Sequence, residues 1–125
     1  MREAREIKAK LIVSYESADK NLYLQEDTRL HKLLIALTGN KLIQDLNERI
    51  YALEHLSRTI ALYSYERFTE YQKEHLGIID GLLEGDVEKA LTYHERHLRL
   101  ARDESIRLLQ LSAKQTQPAA VDNIP

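Results

Sequence analysis

"QEDTRLHKLLIALTGNK" covers residues 25–41, and its reading decides the fold. Leu30, Leu34 and Leu37, with Tyr23 just upstream, fall on one face of a 3.6-residue helix. Gly39-Asn40 closes it, because both residues accept the left-handed backbone that ends a helix. Asp27 stands at a position that belongs to the same stripe, and His31 lies one turn later on the same side. A helix that aims a carboxylate and an imidazole where its leucines go has something polar to hold inside the protein.

Working outward, the same periodicity predicts four further helices. The first covers about 3–16, with Ala4, Ile7, Leu11 and Tyr15 on one side. The helix already described begins near 19, where Asp19 suits the N-cap, and runs to Thr38. The next spans about 41–63 on Leu42, Leu46, Leu53, Leu56, Ile60 and Tyr63, with Arg49 in the middle of that stripe. Another spans about 65–83 on Phe68, Tyr71, Ile78 and Leu82, interrupted by His75. Gly77 and Gly81 sit inside it, although each costs about 1 kcal/mol against alanine. Asp86 caps the last, about 87–113, whose inward positions read Val87, Ala90, Leu91, His94, His97 or Leu98, Ala101, Ile106 and Leu109. The turns are short, so successive helices pack antiparallel in an all-α bundle. Residues 115–125 have no periodicity and read as a disordered tail.

The bulk numbers agree. A chain of 125 residues suits one domain, and 43% apolar with 30% charged residues is globular composition. Four glycines and two prolines are few breakers, and the absence of cysteine excludes disulfides and thiolate chemistry. The charged start "MREAREIKAK" is no signal peptide, and no apolar run suits a membrane span, so a cytoplasmic protein is expected. The net charge of −2, well mixed, offers no basic face for tight DNA binding. Nucleophile elbow, phosphate loop and HExxH are all missing. No histidine has a glutamate three residues before it, as the di-iron bundles require. An enzyme is not expected.

What remains is the set of ionisable residues in apolar stripes. Asp27 and His31, at i and i+4, can offer an oxygen and a nitrogen to one ion. His75 and His97 enter from two further helices at compatible depth. One carboxylate and three imidazoles suit a borderline divalent cation: zinc first, with nickel, cobalt, manganese or iron as alternatives. Calcium and magnesium prefer oxygen. Arg49 needs an anion, and either Asp27 or the carboxylate of a bound ligand would serve. His94, on or beside the inward face, reads as a hydrogen-bond partner behind the ligands or as an alternative to His97. A metal-dependent enzyme, or a scaffold whose histidines are merely hydrogen-bonded, would use the same residues differently.

Two strings carry a family resemblance. "DTRLHKLLIALTGNKLI" resembles the D-x-x-F-H-x-x-L…GN-x-x-L of the FadR-like C-terminal (FCD) domain of GntR-superfamily transcriptional regulators. "EHLGIIDGLLEGDVEKALTYHERHL" is similar to that family's E-H-x-x-I…GD-x-x-x-A…H-L. The resemblance implies an antiparallel helical bundle over residues 1–114 that binds a small organic acid through a metal. Its ligands, by motif position, would be Asp27, His31, His75 and His97. It also implies dimerisation, and DNA binding through a separate winged helix-turn-helix. Leu30 stands where the family has phenylalanine. The winged helix and the family's first one or two effector-domain helices have no counterpart here. The chain is therefore expected to be truncated on its N-terminal side and completed by oligomerisation, since a large bare apolar patch would otherwise remain.

Overall fold

Short polar side chains set where the helices begin. The Asp19 carboxylate accepts the Leu22 N–H at 3.1 Å. Asn40 Oδ1 accepts from Leu42 and Ile43 at 3.0 and 3.2 Å, and Asp86 Oδ1 accepts from Lys89 at 3.0 Å. Gly39 and Gly85 take φ values of 62° and 71°, which stop the preceding helices at little cost. The result, in a computed structural model that describes residues 1–63 and 67–116, is α1 (Arg2–Glu16), α2 (Lys20–Leu37), α3 (Lys41–Tyr63), α4 (Phe68–Glu84) and α5 (Val87–Thr116). The expected boundaries hold to within a few residues, and α5 runs on through Gln115 and Thr116. The remainder of the expected tail, and the expected start of α4 at 65, lie outside the described residues.

α1 packs against α2 and α4, α4 against α5, α5 against α3, and α3 against α2. The contacts therefore close a ring in the order α1, α2, α3, α5, α4. Ala4, Ile7 and Leu11, spaced three and four apart, are fully buried between α2 and α4. They meet Tyr23, Leu30 and Leu33 of α2 and Phe68 and Ile79 of α4. The Tyr23 and Phe68 rings pack edge to face at 4.7 Å. Each large side chain buried here contributes roughly 1.5–3 kcal/mol. Through this core α1 ties α2 to α4.

Gly77 and Gly81, costly on helix propensity alone, have a packing reason. A Cβ on Gly77 would run into the Tyr93 ring, and one on Gly81 would lie 2.6 Å from the Ala90 backbone nitrogen. The two glycines let α5 lie unusually close on α4. That closeness carries His97 toward His75.

Two expected stripes are not covered. Leu42, Leu46, Leu53 and Leu56 of α3 are exposed, as are Val87, Leu91, Leu98, Ile106 and Leu109 of α5 and Leu37 at the end of α2. Periodicity reports which face is apolar but not what meets it, and nothing among the described residues covers these faces. No helix among the described residues is long and apolar enough to cross a membrane.

Candidate metal centre

Asp27 and His31 project from successive turns of α2, His75 from α4 and His97 from α5. One donor atom from each lies within 4.8 Å of all the others. Asp27, His75 and His97 are buried and His31 is half-buried. The imidazole centroids are 4.4 Å apart for His75 and His97, 5.3 Å for His31 and His97, and 6.1 Å for His31 and His75. Donors bound to one zinc ion at about 2.0–2.2 Å sit roughly 3–4 Å from each other, so a modest contraction of the cluster would bring all four onto one ion.

Hydrogen bonding tests whether the group fits a cation. Asp27 Oδ1 approaches His75 Nε2 to 2.9 Å and His31 Nε2 to 3.1 Å. These are ion-pair distances, yet all three atoms are buried without a hydrogen-bond partner. Buried polar atoms are rarely left so, because each costs about 1–3 kcal/mol. Atoms that converge without bonding one another are what a shared cation would satisfy.

The tautomer of His75 follows from its neighbours. Tyr23 Oη lies 2.7 Å from Gln72 Oε1 and 2.7 Å from His75 Nδ1. The hydroxyl has one proton, and the amide oxygen can only accept. Tyr23 therefore donates to Gln72 and accepts from His75 Nδ1–H, which leaves the Nε2 lone pair for the centre. Burial, with Asp27 nearby, raises the Tyr23 hydroxyl far above its usual range, so it stays protonated.

Electrostatics favours an ionised carboxylate at Asp27 and a neutral ring at His97. Burial alone would raise the Asp27 carboxyl, but His75 and His31 outweigh it and hold it well below the usual range. Burial, then the neighbouring His75 and His31, pushes the His97 imidazole well below its ordinary value. The combination suits metal binding, which needs deprotonated ligands.

The other expected site residues fall elsewhere. Arg49 is exposed on α3, so it carries no buried charge that demands an anion. Of the two partners considered for Arg49, Asp27 faces His31 and His75 instead. His94 is half-buried, with its imidazole also pushed down by burial and then by His31 and His75. It lines an apolar cleft of about 230 Å³ with Leu34, Ile78, Leu82, Ala90 and Leu91. Leu34 and Ile78 come three residues after His31 and His75, and His94 three before His97. On all three helices the cleft thus lies three residues, about 4.5 Å, beyond the centre.

Sequence reading missed two contributors. The stripe places the Tyr23 ring in the core but gives no sign that its hydroxyl is buried against His75. Glu74 was ignored because it neighbours His75 on the stripe's edge, yet it is buried and its Oε1 has no hydrogen-bond partner. Burial, with Glu70 adding, pushes its carboxyl up to about 7. Its spacing of three from Tyr71 and four from Ile78 was the available clue.

Comparison with known proteins agrees with this architecture. The FCD domain family model matches residues 1–100. A solved structure described as the "metal-free FCD domain of TM0439 a putative transcriptional regulator" is similar at 32% identity and a TM-score of 0.78, covering 89% of this chain and 76% of that one. Among curated proteins no relative matches.

Proposed function

The chain belongs to the FCD domain family, and on that premise we propose that it is the effector-sensing module of a GntR/FadR-type transcriptional regulator. Asp27, His31, His75 and His97 hold a divalent transition metal, zinc foremost. A small carboxylate effector completes its coordination. The observation that carries this reading is the convergence of four donor residues from three helices within 4.8 Å, three of them buried. When bound, the metal supplies a positive charge that attracts a carboxylate into the bundle. Tyr23 and Gln72 keep His75 in the tautomer that can ligate. The cleft beside His94 accommodates the carbon skeleton of a small acid, since its volume of about 230 Å³ is small and its walls are mostly aliphatic.

The exposed leucines of α3 and α5 support assembly as a homodimer. Binding of the acid would favour one arrangement of the helices and so one spacing of the paired DNA readers. DNA contact falls to a winged helix-turn-helix outside this chain, in a cytoplasmic regulator. The mixed surface charge makes tight DNA binding by these residues alone unexpected. The test is elemental analysis of purified protein, followed by calorimetric titration of the metal-loaded form with a panel of small carboxylic acids. Bound metal and saturable binding of one acid without turnover are expected. Protein that takes up none of zinc, nickel, cobalt, manganese or iron overturns the reading, and consumption of the acid favours a metal-dependent enzyme instead.

A further inference from the structure

His97 Nδ1 and Glu74 Oε1 face one another at 3.4 Å. Both atoms are buried and neither has a hydrogen-bond partner. The distance is a few tenths of an ångström longer than a good N–H···O contact, so a small shift closes it. Glu74 sits on α4 beside His75, whereas His97 comes from α5, so this contact spans two of the helices that build the centre.

We infer that Glu74 is a positioning residue of the metal centre: its carboxylate accepts the His97 Nδ1 proton and thereby turns the ring's Nε2 toward the cation. This rests on the metal-binding reading above. Three features of the fold support it. His31 and His75 both present Nε2 to Asp27, and an Nδ1–H donated to Glu74 gives His97 the same polarity. His75 already has an outer partner on its Nδ1 in Tyr23, which leaves His97 as a buried imidazole whose Nδ1 needs one. Glu74 is itself too deeply placed to be a solvated surface acid, at 8% exposed. A carboxylate behind a ligating imidazole fixes the ring's orientation and makes it a stronger donor.

The experiment measures affinity for Zn²⁺ by competition with a chromophoric chelator, on wild type, Glu74→Gln and Glu74→Ala. The visible spectrum of the Co²⁺-loaded forms is recorded alongside. Outer partners of this kind are worth about 10–100-fold in affinity. We expect Glu74→Ala to fall in that range and Glu74→Gln, whose amide oxygen still accepts from Nδ1–H, to fall between it and wild type. The Co²⁺ spectrum at saturation should keep its shape, because the ligands themselves are unchanged. Melting of the metal-free variants should match wild type or exceed it, which separates positioning from a structural role. Variants that bind Zn²⁺ within twofold of wild type overturn the inference while leaving the metal centre intact. A changed Co²⁺ spectrum also overturns it, by making Glu74 a ligand. Wild type that binds no cation removes the premise, and this role of Glu74 with it.

Discussion

Asp27→Asn in the presence and absence of zinc is the sharpest perturbation of the centre. The substitution keeps the side chain's volume and removes its charge at the atom 2.9 Å from His75 Nε2 and 3.1 Å from His31 Nε2. Because the donors come from α2, α4 and α5, a bound ion fastens three helices together, and its binding free energy becomes folding free energy. At a free metal concentration a thousandfold above Kd, this stabilises the fold by about 4.1 kcal/mol. For a domain of this size each kcal/mol moves Tm by roughly 3–5 °C, so wild type should melt about 12–20 °C higher with zinc than after chelation. A thousandfold loss of affinity in Asp27→Asn corresponds to about 4.1 kcal/mol and would erase most of that shift. Scanning calorimetry on chelator-treated and zinc-loaded samples of both proteins measures it. A wild type whose Tm ignores every transition metal, or a variant that keeps the full shift, refutes the reasoning.

Further outcomes follow from the same geometry. The metal-free protein should lose stability on acidification: His97, depressed in the fold, leaves more protons on the unfolded chain as pH falls below about 6.5. Asp27, also depressed, adds its own loss below about pH 4. His97→Gln should flatten the first phase in urea titrations at pH 5 to 7, and an unchanged slope would assign it to another group. Gly81→Ala should cost about 1–2 kcal/mol, since overpacking against the Ala90 backbone at 2.6 Å exceeds the helix-propensity gain. A raised Tm would show that α4 and α5 can separate freely. Tyr23→Phe should weaken Zn²⁺ binding about tenfold by freeing the His75 ring, read by chelator competition. Light scattering should show a dimer for the native chain, and Leu53→Asp with Leu91→Asp should dissociate it; a native monomer at every concentration would refute the covered-face argument.

The candidate ligands were legible because they violated a pattern. Asp27, His31, His75 and His97 interrupt stripes whose other members are leucine, isoleucine and aromatic residues, and a buried ionisable group needs a partner. Arg49 interrupts its stripe in the same way and is nevertheless exposed, because α3's apolar face is uncovered among the described residues. Helical period identifies a face, and what packs on it depends on tertiary contacts that lie far apart in sequence. Glu74 escaped notice for the opposite reason: it sits at the stripe's margin, where a carboxylate violates nothing. The glycines of α4 read as weakness from propensity and turned out to mark the place where two backbones nearly touch.

The ring order of the helices separates two kinds of member. α2, α4 and α5 each bring donors to the candidate centre, and a cation bound there would tie the three together. α1 is wedged by Ala4, Ile7 and Leu11 against α2 and α4. α3 brings no donor and leaves most of its leucines in water. With a cation bound it would be a stave held at its edges in an otherwise riveted barrel, and a message arriving at the centre would have its least costly exit there. Hydrogen exchange that slows in α2, α4 and α5 on metal loading while α3 responds instead to the acid would trace that route.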